Sequence, residues 1–213
     1  MNEQRKLREL INLTHRHGVE VARKIAEATR LKQALEKLNA ERRAHLKQLE
    51  QKSSPSDFTM YDTTTVGSVP NWVPSRPFAV AGYVGGKWPT YNALVKRFTK
   101  ARHLSIAVNA QEDANCLDVE AGDASVSEVV GWVLRQKRLG KKRIILYFSV
   151  SKLAEVVNEL NKAGINRNNV KFWGAHYTFQ PHIEPGFDAI QWTDKALGKN
   201  LDASLCRGDF LTP

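Results

Sequence analysis

The sequence predicts an α/β protein in which a compact, TIM-like β/α-barrel is preceded by a long N-terminal helical arm. Three observations lead there. Residues 2–52 contain no proline and a single glycine, Gly18; the later chain alternates short apolar runs with helical segments; and acidic residues close several of those runs.

The arm is dominated by Ala, Leu, Glu, Lys, Arg and Gln, the strong helix formers, and reads as one helix or as two broken near His17-Gly18. Ala28, Leu31, Leu35 and Leu38 follow 3-4-3 spacing, extended by Val21 and Leu49 and interrupted by His17, Lys24, Arg42 and His45. So narrow a stripe predicts a coiled-coil-like seam that forms a homo-oligomer or docks on a larger assembly, with packing on the chain's own barrel as the alternative. Residues 53–57, small, polar and proline-interrupted, predict a hinge between an arm at 1–52 and a barrel at 58–213.

Beyond the hinge, strands are expected at Phe58 to Asp62, Phe78 to Val84, Leu104 to Asn109, Cys116 to Glu120, Arg143 to Ser149, Val170 to Tyr177, Ala189 to Thr193 and Leu201 to Ala203. Helices fit Tyr91 to Lys100, Ser125 to Leu139 and Ser151 to Ala163, the second opening with a capping-box spacing from Ser125 to Glu128. Eight strands with intervening helices predict a parallel barrel rather than a sandwich. A full eightfold barrel takes about 250 residues, so some crossover helices must shrink to loops.

The bulk numbers bound the function classes. A chain of 213 residues holds one sizeable core plus an accessory arm. No apolar run approaches the roughly 18 residues of a membrane span, and the opening MNEQRKLREL leads into no apolar stretch, so neither a transmembrane segment nor a secretory signal peptide is expected. Of the net charge of +10, the first 52 residues carry 13 − 7 = +6 and the rest 19 − 15 = +4. The excess belongs mainly to the arm, and with no nucleic-acid-binding motif beside it, sequence-specific nucleic-acid binding is not expected. Cys116 and Cys206 have no CxxC or Cys/His spacing and read as buried free thiols.

In β/α-barrels, functional groups sit at the carboxyl ends of strands. Asp62 closes FTMYD, Asp118 and Glu120 close CLDVE, Asp194 follows AIQWT, and Asp202 lies in NLDAS. Positions i and i+2 of a strand share a face, so Asp118 and Glu120 face the mouth while Val119 faces the helix layer. Two such carboxylates repel, which raises the pKa of one and leaves the other ionised. Glycosidic cleavage needs that division between a proton donor and a stabilising carboxylate. The alternatives are solvated strand-end acids, or an oxygen-only site for calcium or magnesium at Asp62, Asp118, Glu120 and Asp202. Glu112, Asp113 and Asp123 are expected to cap loops and helices. Tyr83, Tyr147, Trp173, Tyr177 and Trp192 fall at or near strand ends, where rings stack on sugars or fill the core. His176 and His182, with Glu184 nearby, are expected to be hydrogen-bonded core residues, and no metal or cofactor is expected. There is no GxSxG, no His-activated Cys and no phosphate loop at Gly85-Gly86 or Gly122.

With these residues in place, the barrel resembles the lysozymes of glycoside hydrolase family 25, the Chalaropsis or cellosyl type of muramidase, and more closely the looser family-25-like domains of actinobacteria and their phages. The similarity spans most of Asp57 to Phe210. Asp62 stands for the family's early acid, Asp118 and Glu120 for its D-x-E pair, Tyr147 in IILYFS for its fifth-strand tyrosine, KFWGAHY for its Trp-bearing strand, AIQWTD for its W-Q-Y-T strand with Trp192 in place of tyrosine, and Asp202 for its late acid. The second strand, AVAGYVGGKW, lacks the family's Lys-Thr-Glu-Gly run, and the third, LSIAVNA, lacks its Tyr-His-Phe pattern; both changes alter the cleft walls and spare the acids. The resemblance implies a peptidoglycan muramidase with Glu120 as general acid, Asp118 and Asp62 positioning sugar and water, and Asp202 completing the acidic cup. With no signal peptide expected and an arm able to anchor it in a virion, the hydrolase is expected to be phage-borne, in the virion or the host cytoplasm. The alternative is a capsid or tail protein displaying a weak or inactive barrel on an oligomerising helix.

Overall fold

A computed structural model of the chain describes residues 2–53, 56–71 and 78–212, and within the long helix the side chains of residues 3, 5–9, 14–39 and 41. The chain divides into two compact units, Met1–Ser54 and Pro55–Pro213.

The first unit is a single helix, α1 (Asn2–Ser53), which runs through Gly18 without a break. Ion pairs Arg5–Glu9, Glu20–Lys24 and Lys37–Glu41 join its turns at i, i+4 spacing, each adding a few tenths of a kcal/mol. Val21, Leu31, Leu35 and Leu38 are exposed, as the stripe requires. The side chains of Arg42, His45 and Leu49, and the Ser54-Pro55 part of the expected hinge, lie outside the described residues.

The second unit is a closed barrel of eight strands in sequence order: β1 (Phe58–Asp62), β2 (Phe78–Tyr83), β3 (Arg102–Ala107), β4 (Cys116–Asp118), β5 (Ile145–Ser149), β6 (Lys171–Ala175), β7 (Ala189–Thr193) and β8 (Asp202–Cys206). Outside it lie α2 (Tyr91–Arg97), α3 (Val129–Arg138) and α4 (Leu153–Lys162). The capping box precedes α3: Ser125 donates its backbone N–H (2.9 Å) and its hydroxyl (2.8 Å) to Glu128 Oε2.

One expectation needs correction. Strands β1 to β7 pair in parallel, but β8 is antiparallel to both β7 and β1. A parallel return takes about a dozen residues or more, and residues 194–201 are too few, so the chain turns through a short 3₁₀ segment and comes straight back. The reversal has a functional consequence. Asp202 opens its strand instead of closing it, yet stands at the same mouth as the carboxyl ends of the others, paired across the sheet with Asp62.

Strand alternation sorts the side chains into two layers. Inside lie Met60, Ala79, Ala81, Leu104, Ile106, Cys116, Ile145, Tyr147, Trp173, Ala189 and Cys206. Outside, Leu117, Val119, Leu146, Phe148, Phe172 and Ile190 pack against Val129, Trp132 and Val133 of α3 and Val156 and Leu160 of α4. Full burial of each such side chain stabilises the fold by about 1.5–3 kcal/mol. Both cysteines are free and buried.

Candidate active site

The strand period that fills the barrel with Met60 and Cys116 carries it two residues further, to Asp62 and Asp118, so the acids form the next layer of the interior. Asp62 and Asp118 are 2% and 4% exposed, a floor, whereas Glu120, beyond the end of β4, is only partly buried and forms the rim. Val119 between them is fully buried in the outer layer.

Electrostatics follow from that depth. Burial, reinforced by Glu120 and then Asp123, pushes the Asp118 carboxyl up to about 8. Burial drives Asp62 well above the usual carboxylate range, aided by Asp202, with which it shares a side-chain hydrogen bond. Asp202 is pushed up to about 6, chiefly by burial, against the pull of that bond. Glu120 is raised by burial and Asp123 and held down by Lys152 and the nearby Tyr147 hydroxyl. At neutral pH Asp118 is therefore held mainly neutral, Asp62 is displaced in the same direction, and Asp202 ionises at lower pH than Asp118. Asp62 Oδ1 and Asp118 Oδ1 are buried and have no hydrogen-bond partner among the described residues. Neutral carboxyls with free oxygens suit the hydroxyl groups of a ligand.

The predicted aromatic residues divide. Tyr147, inside the barrel, donates its hydroxyl to Gln191 Oε1 and packs against Trp173 with ring centroids 4.6 Å apart. Trp173 is 1% exposed and bonds Ser204 Oγ through Nε1 at 2.9 Å, so it supports Tyr147 from within and has no face open to a sugar. Trp192 sits at a register shift between β7 and β8 and packs against the outer clusters. The alternation of β7 turns Gln191 inward and Trp192 out. Tyr83 faces the acids, and burial, followed by the acids once ionised, raises its hydroxyl pKa. Tyr177 is half exposed, its hydroxyl pushed up to about 12, first by burial. Of the five rings, Tyr83, Tyr147 and Tyr177 accompany the acids.

Other residues of the mouth were not singled out from sequence. Gln191 and Ser204 continue the inward period from Ala189 and Cys206, a signal that strand parity alone carries. A cleft of about 480 Å³, within the roughly 300–1,000 Å³ common for ligand pockets, is lined by Tyr83, Lys87, Trp88, Val108, Gly122 and Asp123 among others. Trp88 is 58% exposed and supplies the open ring that Trp173 and Trp192 do not. Asp123 thus joins the cleft wall. Glu112 and Asp113 do fasten loops: Glu112 accepts from Val108 N–H at 3.1 Å, and Asp113 pairs with Arg135 at 2.9 Å.

His176 and His182 are not core residues. They lie with Glu184 on the partly exposed loop between β6 and β7, because the chain leaves the barrel at Ala175.

No family model and no curated protein matches the sequence. Among solved structures the chain is similar to a family 25 glycosyl hydrolase of Streptococcus pneumoniae described as a virulence factor in host cell invasion, at 16% identity and a TM-score of 0.49 over 70% of this chain and 86% of that one. It is similar to a family 25 lysozyme of Aspergillus fumigatus at 12% identity and a TM-score of 0.45, over 72% and 95% of the two chains. It is also similar to the modular autolysin LytC of Streptococcus pneumoniae at 14% identity and a TM-score of 0.45, over 70% of this chain and 46% of that one.

Proposed function

We propose that the barrel mouth is a glycoside hydrolase site directed at peptidoglycan, with Glu120 as the proton donor. The observation that carries the proposal is the layering of the acids: two buried, neutral carboxyls below, a raised and accessible carboxyl on the rim, and Asp202 opposite Asp118's strand, free to ionise above about pH 6. In this reading Asp62 and Asp118 hold sugar hydroxyls by donating hydrogen bonds. Glu120 passes its proton to the leaving glycosidic oxygen as the carbon–oxygen bond breaks. Ionised Asp202 stabilises the oxocarbenium-like centre, and water supplies the hydroxyl at that carbon while its proton restores Glu120. Tyr147 and Gln191 position Glu120, and Trp88 offers a stacking face along the cleft.

The choice of the N-acetylmuramic acid to N-acetylglucosamine bond rests on the order of the acids along the chain and its resemblance to the family 25 muramidases. The exposed stripe of α1 adds a second role, assembly: self-association or docking on a larger particle such as a phage virion, with 53–57 as the link. Release of reducing sugar from purified Gram-positive peptidoglycan tests the enzymatic reading. Wild type is expected to be active and Glu120→Gln to lose about 100-fold or more of its turnover while remaining folded. Silence of a folded wild type on every wall tested would sink it and leave the barrel a display module for the arm.

A further inference from the structure

The loop between β6 and β7 brings three metal-ligand atoms to one point. His176 Nδ1 lies 2.8 Å from Glu184 Oε1, His182 Nε2 lies 3.3 Å from the same oxygen, and the two ring nitrogens are 3.3 Å apart. A tetrahedral zinc ion with bonds of about 2.0–2.2 Å holds neighbouring ligand atoms about 3.3 Å apart. Two of the three edges have that length already, and the third is short by a fraction of an ångström that a side-chain rotation covers.

The tautomer of His182 points the same way. Its Nδ1 lies 2.9 Å from the carbonyl oxygen of Gln180, which can only accept, so Nδ1 is a donor and Nε2 is the ring nitrogen turned towards Glu184 and His176. The carbonyl bond is also the outer-shell contact that commonly orients a zinc-bound histidine. Thr178 Oγ1 adds a contact to Nδ1 at 3.1 Å. Phe179 in the same loop holds φ at +59°, a conformation costly for a bulky residue, and its N–H bonds the Trp192 carbonyl at 2.9 Å. The loop is therefore held in the form that brings His182 back onto His176.

We infer that His176, His182 and Glu184 bind a divalent transition-metal ion of zinc type, with the remaining coordination position open to water. The set is nitrogen-rich with one carboxylate, which favours zinc over calcium or magnesium. Tyr177, the residue after the first ligand, lies near Tyr147, Asp202 and Glu120, so the ion would brace the loop that carries it. The site is separate from Glu120 and its occupancy is independent of whether the acids turn over a glycan.

The test uses tag-free, full-length protein dialysed against chelator. Calorimetric titration with Zn²⁺ is expected to give one ion per chain, and Co²⁺ is expected to give the intense visible ligand-field bands of a four- or five-coordinate site. His182→Gln and Glu184→Gln, checked for an unchanged circular dichroism spectrum, should each weaken binding by more than the roughly 10–100-fold that losing an outer-shell partner costs. Asp118→Asn in the acid cup and a His15→Ala, His17→Ala double variant of the arm should still bind one ion. Absence of stoichiometric binding by folded wild type overturns the inference, as does binding unchanged in both loop variants.

Discussion

Burial keeps Asp118 protonated up to about pH 8, whereas a solvated aspartate ionises near 3.8. Because the folded pKa lies above the unfolded one, the folded state holds the extra proton, and the group's favourable contribution, complete below about 3.8, declines as pH rises towards about 8. Asp118→Asn, which cannot ionise, is therefore expected to match wild type near pH 4 and to exceed it by roughly 2–4 kcal/mol at pH 7, read from denaturant unfolding at the two pH values. Equal stabilities at pH 7 would mean that the carboxyl ionises freely. The same groups set the pH profile. Asp202 must lose its proton, so kcat/KM on peptidoglycan should rise through about pH 6, and it should fall again as Glu120, the proton donor, ionises, with loss of the Asp118 proton completing the decline by about pH 8. The limbs belong to the coupled cluster, so Asp202→Asn should remove the acid limb and shift the other. A profile flat from pH 5 to 9 would exclude these roles.

At the scale of elements, the barrel tolerates no side chain where α2 crosses β2. A Cβ on Gly82 would lie 2.7 Å from Leu94 Cδ1 and 2.9 Å from the backbone of Tyr91, so the helix itself would have to move. Gly82→Ala should lower unfolding free energy by about 1–3 kcal/mol. Gly131 is the contrasting case, exposed inside α3 with no positive φ and with open space for 4 Å around the point where a methyl group would stand. There Ala removes backbone entropy from the unfolded chain, and Gly131→Ala should stabilise by about 0.5–1 kcal/mol. Equilibrium urea unfolding of the two variants checks both signs at once. Elements were also the level most legible in the sequence. The bounds of β1 and β7 match expectation residue for residue, because apolar runs ended by Asp or Thr mark a barrel strand unambiguously. The helix expected to open at Ser125 instead begins with a 3₁₀ turn before α3, and the one expected at Ser151 follows a similar turn that leaves the end of β5 directly.

For the whole molecule, the arm and the barrel obey different rules. The barrel buries its own apolar face, whereas Leu31, Leu35 and Leu38 of α1 remain 58–65% exposed. If that stripe is an assembly seam, replacing the three leucines with serine in the full chain should convert an oligomer to a monomer in sedimentation equilibrium, with the barrel's near-ultraviolet spectrum unchanged. A monomeric wild type would remove the assembly role and leave the hydrolase proposal untouched. The two units thus make separable predictions.

What the sequence determined by itself was local: the helical arm, the order of the strands and the acids near their ends, all of which follow from periodicities of two and of three to four residues; that the arm runs through Gly18 as one helix came from the structure. The direction of β8 was decided by the closure of the barrel together with a connection too short for a crossover, and that direction brought Asp202 beside Asp62. Which rings stay accessible was also decided in three dimensions, because depth in the barrel hides Trp173 and strand parity turns Trp192 outward, while Trp88 stands open on a loop. The convergence of His176, His182 and Glu184 depends on a loop folding back on itself, and no spacing rule along the chain encodes that return. Periodicity reports what each residue does to its neighbours in sequence; burial, charge and coordination depend on neighbours that only the closed barrel supplies.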